Sequence, residues 1–243
     1  MKFKLRYFLW HLLVSLGFAL VALYFVFGVW YPSPLGAAAG VTVIFLILLG
    51  VDVVIGPLLT LLVAKEKKKS LKFDLGSIVV LQVIAFAYGI YTLALGRPEW
   101  IVFNAGRFDL VQAYQIDSSY ALKAKAEYRV TNWLGPTWVA ARLPDDAEER
   151  NNLVFESVVG GSDVPQRPDL YVPYEAELEN VKRAALSLNN LNQFNSPAKV
   201  ATILEDWPDA NAYLPMMARA KPMTVLLKRE TGQVLGVVSL NPW

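Results

Sequence analysis

Between Tyr7 and Leu95 the chain is almost wholly apolar, broken at only two places, and any fold must accommodate that feature. Crossing about 30 Å of hydrocarbon takes roughly 20 apolar residues in a helix. Three segments meet that length: about Tyr7–Trp30, about Leu35–Ala64 and about Phe73–Leu95. The first break, around Tyr31–Pro34, carries no charge, whereas the second, Lys65–Lys72, reads KEKKKSLK. Lys2, Lys4 and Arg6 precede the first run. Positive-inside asymmetry therefore predicts a cytoplasmic N-terminus and a cytoplasmic lysine loop. Three crossings leave Arg97–Trp243 on the far side, which is the periplasm where the host has one. Trp30, Tyr31, Tyr91 and Trp100 are expected in the outer aromatic belt. The first run is longer than a signal-peptide core and no small-x-small site follows it, so it is expected to be retained.

Composition and charge divide at the same boundary. Before Arg97 there are eight Lys and Arg against Asp52, Glu66 and Asp74; from Arg97 onward fifteen oppose eighteen acids. The slightly basic balance thus belongs to membrane-flanking lysines, and no nucleic-acid-binding signature accompanies it. Lys65, Lys67, Lys68 and Lys69 are placed to meet anionic lipid headgroups, although orientation alone also accounts for them. The chain has no cysteine, which excludes disulfides and thiolate-ligated metal sites.

One carboxylate interrupts the second run. By helical rise, Asp52 lies about 19 Å from Lys65, Gln82 about 15 Å from Lys72 and Ser15 about 13 Å from Arg6, so the three share a level. His11, about 7 Å beyond Arg6, is shallower. An ionised Asp at a helix centre carries an insertion penalty of roughly 2.5–3.5 kcal/mol, which a partner or a proton must offset. Two readings stand. In one, Ser15, Asp52 and Gln82 form an internal hydrogen-bond cluster, with contacts averaging about 0.6 kcal/mol each. In the other, Asp52 faces a groove where another membrane protein supplies a positive or donor group. Gly56-Pro57 follows within about one turn. Pro57 has no amide for the carbonyl of Val53, so a kink is expected to open the helix beside Asp52. Only His11 accompanies Asp52 as a titratable group at depth, too few for a proton or ion pathway. The small pairs Ser15/Ala19, Gly36/Gly40 and Ala85/Gly89 are expected at contacts within the bundle.

From Arg97 the pattern becomes that of a mixed globular domain. Glu99–Gln112 reads as two strands around Asn104-Ala105-Gly106, and Pro136–Pro144 as a strand ended by proline. Asp145–Gly161 and Pro173–Leu188 carry acids early and read as helices; the second also carries Lys182 and Arg183 late. A shorter helix follows Ser196-Pro197, and two β-rich runs flank Glu230-Thr231-Gly232 as a hairpin. The expected fold is a three-helix transmembrane bundle over residues 1–96, then an α+β periplasmic domain with an antiparallel sheet over 97–243. This second domain has no histidine and no nucleophile, metal or nucleotide signature, so no catalytic residue, cofactor or metal ligand is assigned. Glu175, Glu177 and Glu179 are expected on a solvated helix face.

Six stretches together are distinctive: GVDVVIGPLLTLLV (Gly50–Val63), KKSLKFDL (Lys68–Leu75), QVIAFAYGIY (Gln82–Tyr91), RPEWIVFNAGRFDLV (Arg97–Val111), RPDLYVPY (Arg167–Tyr174), and a C-terminal run of YLP (Tyr213–Pro215) and KPMTVLLKRETGQVLGVVSLNPW (Lys221–Trp243). In this order, over nearly the full length, the chain resembles the TfpX/TfpZ family of type IV pilin accessory proteins. Ser118–Asn132 fits that pattern less well. The resemblance implies a non-catalytic, chaperone-like protein of the bacterial inner membrane, with its C-terminal domain in the periplasm, that supports the stability or assembly of a cognate type IV pilin. It brings no residue assignment. The residues put forward for partner binding within the membrane are Ser15, Asp52, Gly56, Pro57 and Gln82. The rival classes are a membrane-anchored enzyme and a sensor with a periplasmic domain, the latter without a cytoplasmic output domain.

Overall fold

A computed structural model describes residues 2–129, 132–158 and 161–243. The first span is α1 (Lys2–Leu23), which loosens into a π-helical segment, Tyr24–Trp30. The second is a composite of α3 (Val41–Leu49), a π-helical stretch Gly50–Ile55 and α4 (Gly56–Val63). The third is the unbroken α5 (Leu71–Leu95). All three are long and apolar enough to cross a membrane. His11 Nδ1 lies 2.6 Å from Thr60 Oγ1 and ties the start of α1 to the end of α4, so the N-terminus and the lysine loop share one end of the bundle. In that loop Lys65, Lys67 and Lys69 are exposed, while Lys68 pairs with Asp74 at 2.7 Å.

The second span starts six residues later than Leu35. Leu35–Ala39 forms a separate short helix, α2, and Gly40, at a φ of 76° that disfavours a side chain, turns the chain into α3. Leu35 and Ala38 belong to the main core of the C-terminal domain, and the Ala38 carbonyl accepts the amide of Ala220 at 2.9 Å. The loop between the first two spans is therefore part of the head's interior.

The head is built on one curled sheet of β1 (Pro98–Asn104), β2 (Arg107–Gln112), β3 (Thr137–Ala141), β4 (Tyr171–Pro173), β6 (Ala212–Met217), β7 (Met223–Lys228) and β8 (Gln233–Val238), in the order β4-β3-β1-β2-β6-β7-β8. The short β5 (Leu186–Ser187) pairs with the start of β6. The expected antiparallel sheet is corrected to a mixed one: β3 runs parallel to β1, and β6 parallel to β2. Both parallel contacts join strands that are far apart in sequence, where hairpin signals carry no information. Side chains alternate by face. Ile101, Phe103, Leu214, Met216, Val225 and Leu227 point into the curl against Tyr174 and Val181. On the outer face, Trp100, Val102 and Val139 pack under Ala124, Tyr128 and Tyr171. Further along it, Tyr213 and Leu226 pack under Leu191 and Val200.

Both expected hairpins form, with Asn104 opposite Arg107 and Lys228 opposite Gln233. The helix expected over Asp145–Gly161 is Ala147–Val158, capped by the Asp146 carboxylate accepting the amides of Glu148 and Glu149; Val159 and Gly160 lie outside the described residues. The helix expected to run to Leu188 stops at Ala184, because Leu186 and Ser187 pair with β6. Glu177 is not on a solvated face: it is buried beside the guanidinium of Arg142, 2.6 Å away. Tyr31 and Trp100 are likewise buried inside the protein and do not join an aromatic belt.

Candidate functional site

The middle of the bundle holds one polar site, and the proline explains its geometry. In a regular α-helix Pro57 leaves the carbonyl of Val53 without a donor. Here Gly50–Ile55 is wound in π register, and the Gly56 amide donates to Val51, five residues back. That shift moves the deficit by one residue, to the carbonyl of Asp52. Gln82 of α5 fills it: its Nε2 donates to the Asp52 carbonyl at 3.1 Å. The Gln82 amide crosses directly over Gly56, where an added Cβ would lie 2.0 Å from Nε2. Gly56, Pro57, Asp52 and Gln82 thus form one unit, with glycine giving the space, proline the unpaired carbonyl and glutamine the donor.

Two buried oxygens of this unit remain unpaired. Asp52 is only 7% exposed, and neither its Oδ2 nor Gln82 Oε1 has a hydrogen-bond partner. Both are acceptors. Asp52 and Gln82 are among the residues lining a cavity of about 270 Å³ between α1 and α5, walled by Val14, Phe18, Val83 and Phe86 with His11 and Ser15 at the α1 side. The Phe18 and Phe86 rings meet edge to face, with centroids 6.0 Å apart, and bridge the two helices. Ser15 is buried on this wall, yet among the described residues no hydrogen bond joins it to Asp52 or Gln82. The structure thus brings Ser15, Asp52 and Gln82 to one cavity without closing the three-residue network that would make them internal glue. A buried oxygen without a donor costs about 1–3 kcal/mol, more when charged, and a hydroxyl, amide or ammonium brought to it would remove that cost.

Buried polar contacts join the bundle to the head. Tyr31 donates to the carbonyl of Leu93 at 2.7 Å and locks the ends of the first and third spans together. Arg97, two residues beyond α5, donates to the Ala94 carbonyl at 2.6 Å and pairs with Glu99 of β1 at 3.2 Å, both side chains buried. Burial pushes the Glu99 carboxyl above the usual carboxylate range, against the pull of Arg97. Sequence reasoning missed this junction. Its one visible signal was a lone arginine directly after an apolar run. Among the described residues, no three His, Asp or Glu side chains converge as metal ligands would.

The model of the fimbrial assembly protein FimB family matches residues 1–40. The fimbrial assembly protein of Dichelobacter nodosus serogroup I is 35% identical over 180 residues, 73% of this chain and 70% of that protein. The chain belongs to the fimbrial assembly protein FimB family. The serogroup E1 protein of the same organism matches equally, at 35% over 180 residues, and that of serogroups C1 and C2 is 38% identical over 96 residues, 39% of this chain and 73% of that protein. No solved structure matches the chain significantly. The family match at residues 1–40 covers all of α1 and α2, hence both the α1 wall of the groove and the segment that plugs the head.

Proposed function

We propose that this chain is a non-catalytic accessory protein of type IV pilus assembly, of the TfpX/TfpZ kind, that holds its cognate pilin in the inner membrane. The observation that carries the proposal is the groove between α1 and α5, lined in part by Asp52 and Gln82, each of which keeps a buried oxygen without a donor. The relatives' description as fimbrial assembly proteins supports the same reading. A pilin waiting in the membrane presents an apolar helix with a head outside it, and the two parts of this chain match that layout. The apolar walls receive the helix, and the acceptors select a hydroxyl, amide or ammonium on it. The lysine loop, with Lys65, Lys67 and Lys69 exposed, rests on anionic headgroups at the cytoplasmic face.

The test is photocrosslinking in intact cells, with a photoreactive residue at Val83, which lines the groove, or at Val80, equally exposed on α5 but outside it. A pilin adduct is expected from position 83 and not from 80, and only with the cognate pilin. Asp52→Asn is expected to weaken it about tenfold, the loss of one charge-assisted hydrogen bond. Equal adducts from both positions, or none from 83, would sink the groove reading. If Asp52→Asn leaves the adduct intact but lowers the protein's own unfolding temperature, the carboxylate is structural.

A further inference from the structure

We infer that the turn Asn132–Gly135 is a fourth membrane contact, inserting Trp133 and Leu134 into the interfacial layer of the bilayer at the head end of the spans. The inference rests on the three helices crossing the membrane, and it concerns residues outside the groove.

Two consecutive large apolar side chains stand out from the head here, Trp133 at 53% and Leu134 at 84% exposure. Their height is set by the spans. The Trp133 ring lies 6.0 Å from that of Trp30, the last residue of the first span, and the Arg97 guanidinium, just past the third span, sits 4.0 Å from the centre of the same Trp133 ring. Gly135 presses on the carbonyl of Val29, where an added Cβ would stand 3.3 Å away. The turn is thus pinned to the ends of two membrane-crossing helices. Tryptophan at such a level prefers the interface, with its ring in the acyl boundary and its N–H toward the headgroups.

The turn is also prepared for a layer poor in water. The Asn132 carboxamide accepts the amide of Leu134 at 2.9 Å and donates to Thr137 Oγ1 at 3.2 Å, so insertion leaves the Leu134 amide satisfied. Arg219 and Lys221 are exposed on either side of Ala220, whose amide is bonded to Ala38 between the first two spans. They place cations at the same end of the bundle, where phosphates lie. An apolar wedge accompanied by cations is the composition of a lipid-facing surface, which is why the occupant is a bilayer rather than a second protein.

The absence of native cysteine makes the test direct. Leu134→Cys, Ile47→Cys and Thr231→Cys each take a single bimane label in the full chain, reconstituted in phosphatidylethanolamine–phosphatidylglycerol vesicles. Ile47 is exposed on the second span, and Thr231 lies at the tip of the β7–β8 hairpin, at the end of those strands away from Ala220. The label at 134 is expected to emit to the blue of that at 231, to resist aqueous iodide, and to be quenched by lipids with a nitroxide near the headgroup end of the acyl chain. A label at 134 that iodide quenches as readily as at 231, while 47 is quenched by lipid nitroxide, overturns the wedge alone. Shielding from iodide without lipid quenching also overturns it, in favour of a protein contact. If 47 as well as 134 escapes lipid quenching, the membrane-crossing reading falls and the wedge with it.

Discussion

Asp52 and its neighbours show how much one register shift decides. Pro57 by itself creates an unpaired carbonyl; the π-helical stretch before it determines whose carbonyl that is. Because Gln82 answers that need only by passing over Gly56, the glycine is the weakest point of the site. Gly56→Ala forces the Gln82 amide aside and strips the Asp52 carbonyl of its donor. The expected cost is about 1–3 kcal/mol, from a buried acceptor left unpaired. It is read as a lower unfolding temperature in detergent, and Gly56→Ala combined with Gln82→Ala should cost little more than Gly56→Ala alone. Additive losses would show that the glycine and the glutamine act separately.

At the scale of elements, short segments are held by side-chain caps more than by length. Ser118–Ala121 makes a single helical turn, α6, started by Asp117, whose carboxylate accepts the amide and hydroxyl of Ser119 and the hydroxyl of Ser162. Those bonds hold the Asp117 carboxyl at about 2, below its ordinary 3.8. A carboxyl depressed in the folded state stabilises the fold above its unfolded value and loses that contribution as pH falls toward its folded one. Unfolding followed between pH 4 and 2 should therefore show a loss of stability that Asp117→Asn flattens. Equal slopes for the two proteins would mean that this cap does not hold the segment. Glu99 runs the other way: burial raises it, so its protonation as pH falls favours the folded state and partly offsets the loss at Asp117.

Across the whole molecule the bundle and the head are one folded object. α2 leaves the helical bundle to place Leu35 and Ala38 in the head's core, and the Tyr31–Leu93 and Arg97–Ala94 bonds fasten the same junction. The groove and the head are thereby joined through buried contacts, as the proposed grip on a pilin at both places requires. Leu35→Ala should cost the head about 2–4 kcal/mol, the usual loss for emptying a buried leucine site. Protease nicking of the head, far from the mutated position in sequence, should rise accordingly. A head that resists protease as the parent does would show that α2 is only a tether.

The sequence by itself determined the features that depend on neighbouring residues. Apolar length set the three spans, Asn104-Ala105-Gly106 and Glu230-Thr231-Gly232 set two hairpins, and Asp146 set the start of a helix. It also brought Ser15, Asp52 and Gln82 to a common level, because depth along a helix is a simple count of residues. Only the tertiary structure decided the parallel pairing of β1 with β3 and of β2 with β6, and the burial of Glu177, Tyr31 and Trp100. The same holds for the use of Leu35 and Ala38 by the head and for the two buried acceptors left unpaired at Asp52 and Gln82. Each of those depends on which distant segment covers a given face. That choice is made by the packing free energy of the whole chain, to which no local pattern gives access.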